Sequence, residues 1–212
     1  MADPRFTAET ERAGMVERLR RRGIFDARVL AAMATVPRER FVPAELAGEA
    51  YEEHPLPIGA GQTISEPQIV AIMAAALALD ADDQVLEVGG GAGYAAAVLS
   101  RCSGHVITIE RHRVLADRAR ATLAALGYDN VEVRDGDGAL GAPDRAPFDA
   151  ISVAAMADDI PPALLTQLAP DGRLICPVGA TSVGQLVRLH RGRRRALLQV
   201  GFVPLVSDTR PQ

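Results

Sequence analysis

After Asp80 the chain alternates short, nearly continuous apolar runs with stretches in which apolar residues recur every three or four positions. The runs are QVLEV (84–88), HVITIE (105–110), VEVRD (131–135), FDAISVA (148–154) and GRLICPV (172–178); between them lie AAAVLS (95–100), LADRARATLAAL (115–126) and PPALLTQL (161–168). Strand-length apolar runs alternating with helical stretches predict an α/β fold, a mostly parallel sheet with helices on both faces. Residues 184–206 read instead as two strands around a basic turn, so an antiparallel C-terminal hairpin is expected. Upstream, 8–22 has the spacing of an amphipathic helix closed by Gly23, and a second short helix, Asp26 to Thr35, stops before Pro37. Residues 37–67 carry five prolines and little periodicity, which predicts a long ordered loop of the kind that serves as a lid or binding segment. From Ser65 the run SEPQIVAIMAAALAL predicts a buried helix, with Ser65 and Gln68 at capping-box spacing. No internal repeat or low-complexity linker interrupts this order. A single domain over 1–212 is expected, with N-terminal helices and lid in 1–80 and a ligand-binding core in 81–212.

Composition narrows the chemistry. The 23 basic residues are all arginine, against 27 Asp and Glu. Without lysine there is no Schiff-base amine and no P-loop cation for nucleotide phosphates. The net charge of -4 weighs against nucleic acid as a partner. The two arginine clusters, Arg18 to Arg22 and Arg191 to Arg195, read as solvated faces of a helix and a turn. Cys102 and Cys176 and the four histidines lack metal-ligand spacing, so no metal is expected. No cationic start leads into an apolar segment and no apolar run approaches about 18 residues. A cytoplasmic monomer that meets no membrane is the expectation.

The sharpest local signal is VLEVGGGAGYAAAV, where a buried strand runs through Gly89, Gly91 and Gly93 directly into a helix. Such a turn lets a ligand approach the backbone and offers it the free N–H groups of a helix start. The next strand ends in Glu110, about 20 residues on, where an acid that binds ribose belongs. Tyr94 stands where a dinucleotide fingerprint wants its third glycine, and Glu87 places a carboxylate just before the loop. A carboxylate there repels a pyrophosphate and suits a cationic ligand, which favours S-adenosylmethionine over a dinucleotide. Asp137 in the turn VRDGDGALG could then accept from an adenine amino group, with Gly138 letting the ring lie flat.

These segments, taken with VLAAMATVPRERFVP, AYEEHPLPIGAGQTISEPQIVA, VITIER, PFDAISVAA, LLTQLAPDGRLICPVG and FVPLV in that order, resemble the protein-L-isoaspartate O-methyltransferases. The resemblance implies the Rossmann-like, seven-stranded S-adenosylmethionine-dependent fold with an N-terminal helical extension. It also implies transfer of methyl from S-adenosylmethionine to the free carboxylate of isoaspartyl residues in damaged proteins, with S-adenosylhomocysteine as product. By the same resemblance Ser65 lies at the active site, Thr63, Ile64 and Gln185 belong to the substrate site, and Gly89, Glu110, Asp137 and Gly138 belong to the cofactor site. The usual loop of the family carries hydroxyl residues where Gly90 and Ala92 stand here. An alternative reading keeps the scaffold and changes the acceptor to a modified peptide or a small-molecule carboxylate.

Physical reasoning bears on the reaction independently. A carboxylate acceptor is already ionised at neutral pH, so transfer to it needs alignment and fixed donors and no strong base. The Ser65 hydroxyl can supply such a donor, or it can cap the following helix.

Overall fold

The computed structural model describes residues 4–208, with side chains from Ala8 onward. Two helices open the chain, α1 (Pro4–Arg21) and α2 (Ala27–Thr35), the second capped by the Asp26 carboxylate, which accepts from the Val29 N–H at 3.0 Å. The region expected as a loop holds more order than its prolines suggested. Two 3-10 turns (Arg38–Arg40, Ala44–Glu49) lead into a small antiparallel hairpin, β1 (Leu56–Gly59) and β2 (Gln62–Ile64). Leu56, Ile58 and Ile64 point into the core from this hairpin, and Gly59, Ala60 and Gly61 turn it with positive φ. Its apolar alternation is too short to stand out against the flanking prolines.

Helix α3 (Pro67–Leu77) begins one residue later than the capping box required. Glu66 is the N-cap, with no side-chain cap bond, and the Gln68 amide oxygen accepts from Arg22 instead. The reading of Ser65 as a helix cap is therefore corrected. Pro67 starts the helix without a spare N–H, so the first turn demands less of a cap. At its other end Ala78 closes the helix in the left-handed conformation, and two arginines satisfy the last carbonyls. Arg188 Nε donates to Ala76 O at 2.6 Å, Arg173 Nε to Leu77 O at 2.8 Å and Arg173 Nη2 to Ala78 O at 3.1 Å. Cations there also meet the negative end of the helix dipole.

The remaining elements are β3 (Gln84–Val88), α4 (Tyr94–Ser100), β4 (His105–Glu110), α5 (Arg113–Ala125), β5 (Val131–Asp135), β6 (Phe148–Val153), α6 (Pro162–Thr166), β7 (Leu168–Val178), β8 (Val183–His190) and β9 (Arg193–Gly201). The seven long strands form one sheet in the order β5-β4-β3-β6-β7-β8-β9. Pairs among β3 to β7 are parallel, while β7/β8 and β8/β9 are antiparallel, as the alternation and the basic turn predicted. One face packs Val85, Val106, Ala150 and Ile175 against residues of α1 to α5. The other face buries Leu86, Ile107, Ile151 and Leu174 beneath the short α6 and irregular chain. Strand order reverses beside β3, and that reversal opens a crevice at the carboxyl ends of β3 and β6.

Arg173 also pairs with Asp83, both side chains mostly shielded. Substituting Arg173→Met removes the cation beside Asp83 and leaves Leu77 O and Ala78 O at the end of α3 without their arginine donor. A loss of about 2 kcal/mol or more is expected, seen in thermal unfolding as a midpoint lowered by roughly 4–8 °C.

Candidate active site

Where β3 ends, the chain turns back sharply on β4. Gly89 and Gly90 both donate their N–H to Ile109 O, at 2.8 and 3.2 Å, and Gly89, Gly91 and Gly93 all take positive φ. Gly93 is the N-cap of α4, and a side chain on it would meet Leu123 and Ala119 of α5 at 3.1 and 3.2 Å. The turn thus brings a helix start up against the end of the sheet, which is the geometry of an anion or polar-ligand cradle.

A cleft open to solvent lies on this turn, lined by Gly89, Gly91, Glu110, Gly138, Thr63 and the apolar Val203–Val206 among others. Glu110 is 5 % exposed, and each of its oxygens already holds backbone: Oε2 accepts from Gly91 N–H at 2.7 Å and Oε1 from His112 N–H at 2.8 Å. Each carboxylate oxygen retains acceptor capacity for a diol. Gly138 is excluded from carrying a side chain, because a Cβ there would lie 2.5 Å from Val88 Cγ1.

Asp137 sits at the end of this cleft but does not line it. Its Oδ1 accepts from Ala139 N–H at 3.0 Å, and Oδ2 accepts from the Ser207 hydroxyl at 2.7 Å and Asp208 N–H at 2.9 Å. Burial acts to raise its pKa, but the bonds from Ser207, Asp208 and Ala139 and the charge of Arg111 outweigh it and hold the carboxyl below its usual range. Arg111 also bridges to Asp208 at 2.6 Å. The segment after β9 is thereby strapped across the cleft, tied further by Leu205 N–H to Met156 O at 2.6 Å and Met156 N–H to Val203 O at 2.8 Å.

Glu87 is buried behind the loop, 1 % exposed, and lines a small inner cavity with Ser65, Ser152, Ala95 and Ala154. Oε2 accepts from the Thr108 hydroxyl at 2.5 Å, and Oε1 has no partner. Burial pushes this carboxyl up to about 8; the Thr108 bond opposes the shift and the Glu110 charge adds to it. Thr108 also answers the missing hydroxyl at Gly90. A Cβ on Gly90 would fall 2.2 Å from Thr108 Oγ1, so the threonine occupies the space that a side chain at position 90 would take.

On the far side of Ala154 a broader groove opens, lined by Pro55, Thr63, Ser65, Glu66, Ser182, Gln199 and Phe202–Pro204 among others. It shares Thr63, Ala154, Val203 and Pro204 with the cofactor-side cleft. Ser65 borders both this groove and the inner cavity, and its hydroxyl has no hydrogen-bond partner among the described residues. Thr63 sits between the two clefts, whereas Ile64 is buried in the core and contributes packing. Gln185 lies exposed on β8 and lines neither cleft; its cross-strand neighbour Gln199 lines the groove. The strap is what reasoning from residues overlooked. Its apolar residues carry no chemical signature, and FVPLV entered the sequence reading only as one of the segments that resemble the family.

Seven-stranded sheet, glycine turn and acid-terminated β4 define a Rossmann-like S-adenosylmethionine-dependent methyltransferase. The Protein-L-isoaspartate(D-aspartate) O-methyltransferase family model matches residues 10–210. A protein-L-isoaspartate O-methyltransferase 1 of Rhodopseudomonas palustris (strain HaA2) is 53 % identical over 96 % of this chain and 85 % of its own length. One from Methylorubrum extorquens (strain PA1) is 57 % identical over 92 % of this chain and 88 % of its own. Among solved structures, a protein-L-isoaspartate O-methyltransferase aligns with a TM-score of 0.83 and 28 % identity, covering 93 % of this chain and 66 % of that longer one. A Plasmodium falciparum beta-aspartate methyltransferase in complex with S-adenosyl-L-homocysteine aligns with a TM-score of 0.78 and 26 % identity, covering 91 % and 97 % of the two chains. This chain belongs to the protein-L-isoaspartate(D-aspartate) O-methyltransferase family.

The raised Glu87 carboxyl has a measurable sign. Folding keeps it protonated between its ordinary range near 4.5 and about 8, so its contribution to stability declines as pH rises through that window and is lowest above it. Glu87→Gln keeps an acceptor for Thr108 and removes the titration. Equal melting temperatures at pH 4 and a variant more stable by a few degrees at pH 8.5 are expected; parallel pH curves would exclude the shift.

Proposed function

We propose that this chain transfers methyl from S-adenosylmethionine to the free carboxylate of isoaspartyl residues in damaged proteins. The carrying observation is the meeting of the two clefts at Thr63, Ala154, Val203 and Pro204, with the unengaged Ser65 hydroxyl beside the junction. The residues present fit the cofactor. Gly89 and Gly91 keep the floor of the cleft free of side chains, Glu110 faces it with unused lone pairs, and Leu205 and Val206 give it an apolar wall. Glu87, with one unpartnered oxygen, lies beneath the loop where a cationic group favours its ionised form. Asp137 does not line the cleft, and its oxygens already accept from Ala139, Ser207 and Asp208, so what it does there is to fasten the strap. When bound, the cofactor supplies a methyl group on a positively charged sulfur.

The chain's own residues orient and desolvate the acceptor. Thr63, Ser65 and Ser182 offer hydroxyl donors along the groove, and Gln199 an amide. Among the residues lining this groove the ionisable side chain is Glu66, so the lining offers no cation to neutralise the acceptor and no strong base to deprotonate it. None is needed, since a main-chain or side-chain carboxyl titrates near 3–4 and arrives as the nucleophile. Fixed donors replace its water and hold one oxygen in line. Recognition by short hydroxyl donors and backbone suits an acceptor defined by its carboxylate and its extra backbone methylene. In the same reading the enzyme works in the cytosol as a monomer. Two free buried thiols suit a reducing compartment, and the large exposed apolar side chains are spread over separate segments.

Transfer of labelled methyl to a short isoaspartyl peptide, with its aspartyl twin giving no turnover, is the expected result; equal labelling of both would refute the reading. Ser65→Ala should lower kcat about 10- to 100-fold through loss of one donor. S-adenosylhomocysteine affinity and melting temperature should not change, because the hydroxyl caps nothing. Loss of stability or of cofactor affinity in that variant would return Ser65 to a structural role.

A further inference from the structure

We propose that Arg38 is a positioning residue for methyl transfer, a buried planar clamp that fixes the Ser65 peptide at the junction of the two clefts and ties it to the helix leaving the glycine loop. The proposal rests on the reading of Ser65 given above. Arg38 belongs to the 3-10 turn after α2 and is 0 % exposed. Its Nε donates to Ala50 O at 2.6 Å and its Nη2 to Ser65 O at 2.7 Å. The guanidinium lies over the ring of Tyr94, 4.8 Å from the centroid. Tyr94 is the first residue of α4, immediately after Gly93, and is itself packed edge-on by Phe41 at 5.7 Å between centroids. One rigid group therefore touches three segments that must keep register: the start of the lid, the residue that opens the substrate groove, and the end of the cofactor turn.

A purely structural role explains this poorly. Among the described residues Arg38 forms no ion pair with a carboxylate, and Nη1 has no partner. Burial opposes its charge and lowers its pKa, although the Tyr94 and Tyr51 rings and the Glu66 carboxylate favour the charged form. Burying a cation with no carboxylate paired to it costs several kcal/mol, and an apolar side chain of similar volume would avoid that cost. What the guanidinium provides is direction. Its donors are coplanar and fixed in angle, so two carbonyls from residues 50 and 65 are aimed at one plane that also stacks on Tyr94. Ser65 needs such a hold. It precedes the N-cap of α3, which has no side-chain cap bond, and its own hydroxyl must stay free for the acceptor. Lysine offers no plane and no two-point fork, so it cannot reproduce this geometry.

Arg38→Met and Arg38→Lys, in the full chain, test the idea. Expected for both is S-adenosylhomocysteine affinity within about threefold of wild type and kcat for an isoaspartyl peptide lowered about 100-fold, the cost of a slight misplacement in an aligned transfer. Hydrogen exchange should be about tenfold faster or more in peptides covering 62–68 and unchanged in β3 to β6. Wild-type kcat in a folded variant, recovery by lysine, or unchanged exchange at 62–68 overturns the proposal. So does loss of cofactor affinity in step with kcat. If neither variant folds, Tyr94→Leu carries the test, since it removes the ring and hydroxyl that face the guanidinium and leaves both carbonyl bonds. Lowered kcat with cofactor affinity kept supports the clamp, and unchanged kcat overturns it. Wild type inactive on isoaspartyl peptides would reject the proposed activity, while the exchange measurement would still decide whether Arg38 holds Ser65.

Discussion

Carbonyl oxygens left unpaired by irregular backbone are the constraint on which the rest of this structure depends. Residues 36–66 make few ladder or helix bonds of their own, yet they roof the cofactor turn and wall the substrate groove. Several of their carbonyls are taken up by arginines, two from outside the segment and one within it. Arg18 reaches Tyr51 O at 2.7 Å, Arg38 reaches Ala50 O and Ser65 O, and Arg118 of α5 reaches Ile58 O at 2.5 Å. The same device closes α3 through Arg173 and Arg188. A guanidinium suits this task because it offers several donors in one plane and stays charged at any pH the protein meets. The absence of lysine, which looked like a loss of chemistry, coincides with a structure in which several arginines bind backbone carbonyls while others pair with carboxylates at the surface.

Much of the fold was legible because the parallel core is written in strand-length apolar runs that burial on both faces demands. The parallel core, the terminal hairpin and the cofactor turn follow from that writing, whereas the order of the strands in the sheet does not. The lid hairpin escaped notice because Leu56, Ile58 and Ile64 are interrupted by proline and by a glycine turn. The capping box misled for a physical reason: Pro67 already begins the helix with no N–H to satisfy, so the Ser65 hydroxyl was left over for other work. The first arginine cluster was read as a solvated face, yet Arg18 and Arg22 both pair with Glu53 and hold the lid. In the second, Arg191 and Arg194 make surface ion pairs with Asp171 and Asp159, in keeping with the solvated reading.

Site residues divide by what a sequence can express. Gly89, Gly91, Glu110, Gly138, Thr63 and Ser65 line the clefts, because local turn chemistry and strand ends put them there. Glu87, Asp137, Ile64, Gln185 and Gly93 stand behind, beside or away from the walls, and only the packing of distant segments reveals which. The exchange at the glycine loop makes the same point. A side chain absent from position 90 is answered by a hydroxyl on the neighbouring strand at 108, eighteen residues later and one strand across. Neither residue alone carries that meaning; the register between β3 and β4 does.

The strap formed by residues 202–208 has a further consequence in the order of synthesis. The strands β3 to β6 and the glycine turn are made once β6 has emerged, but the apolar wall of the cleft comes from Val203 to Val206 and its fastening from Ser207 and Asp208. On the ribosome this side of the cleft is thus made only after β9. A chain interrupted just before Phe202 would keep the sheet and the turn yet lack one side of the cleft.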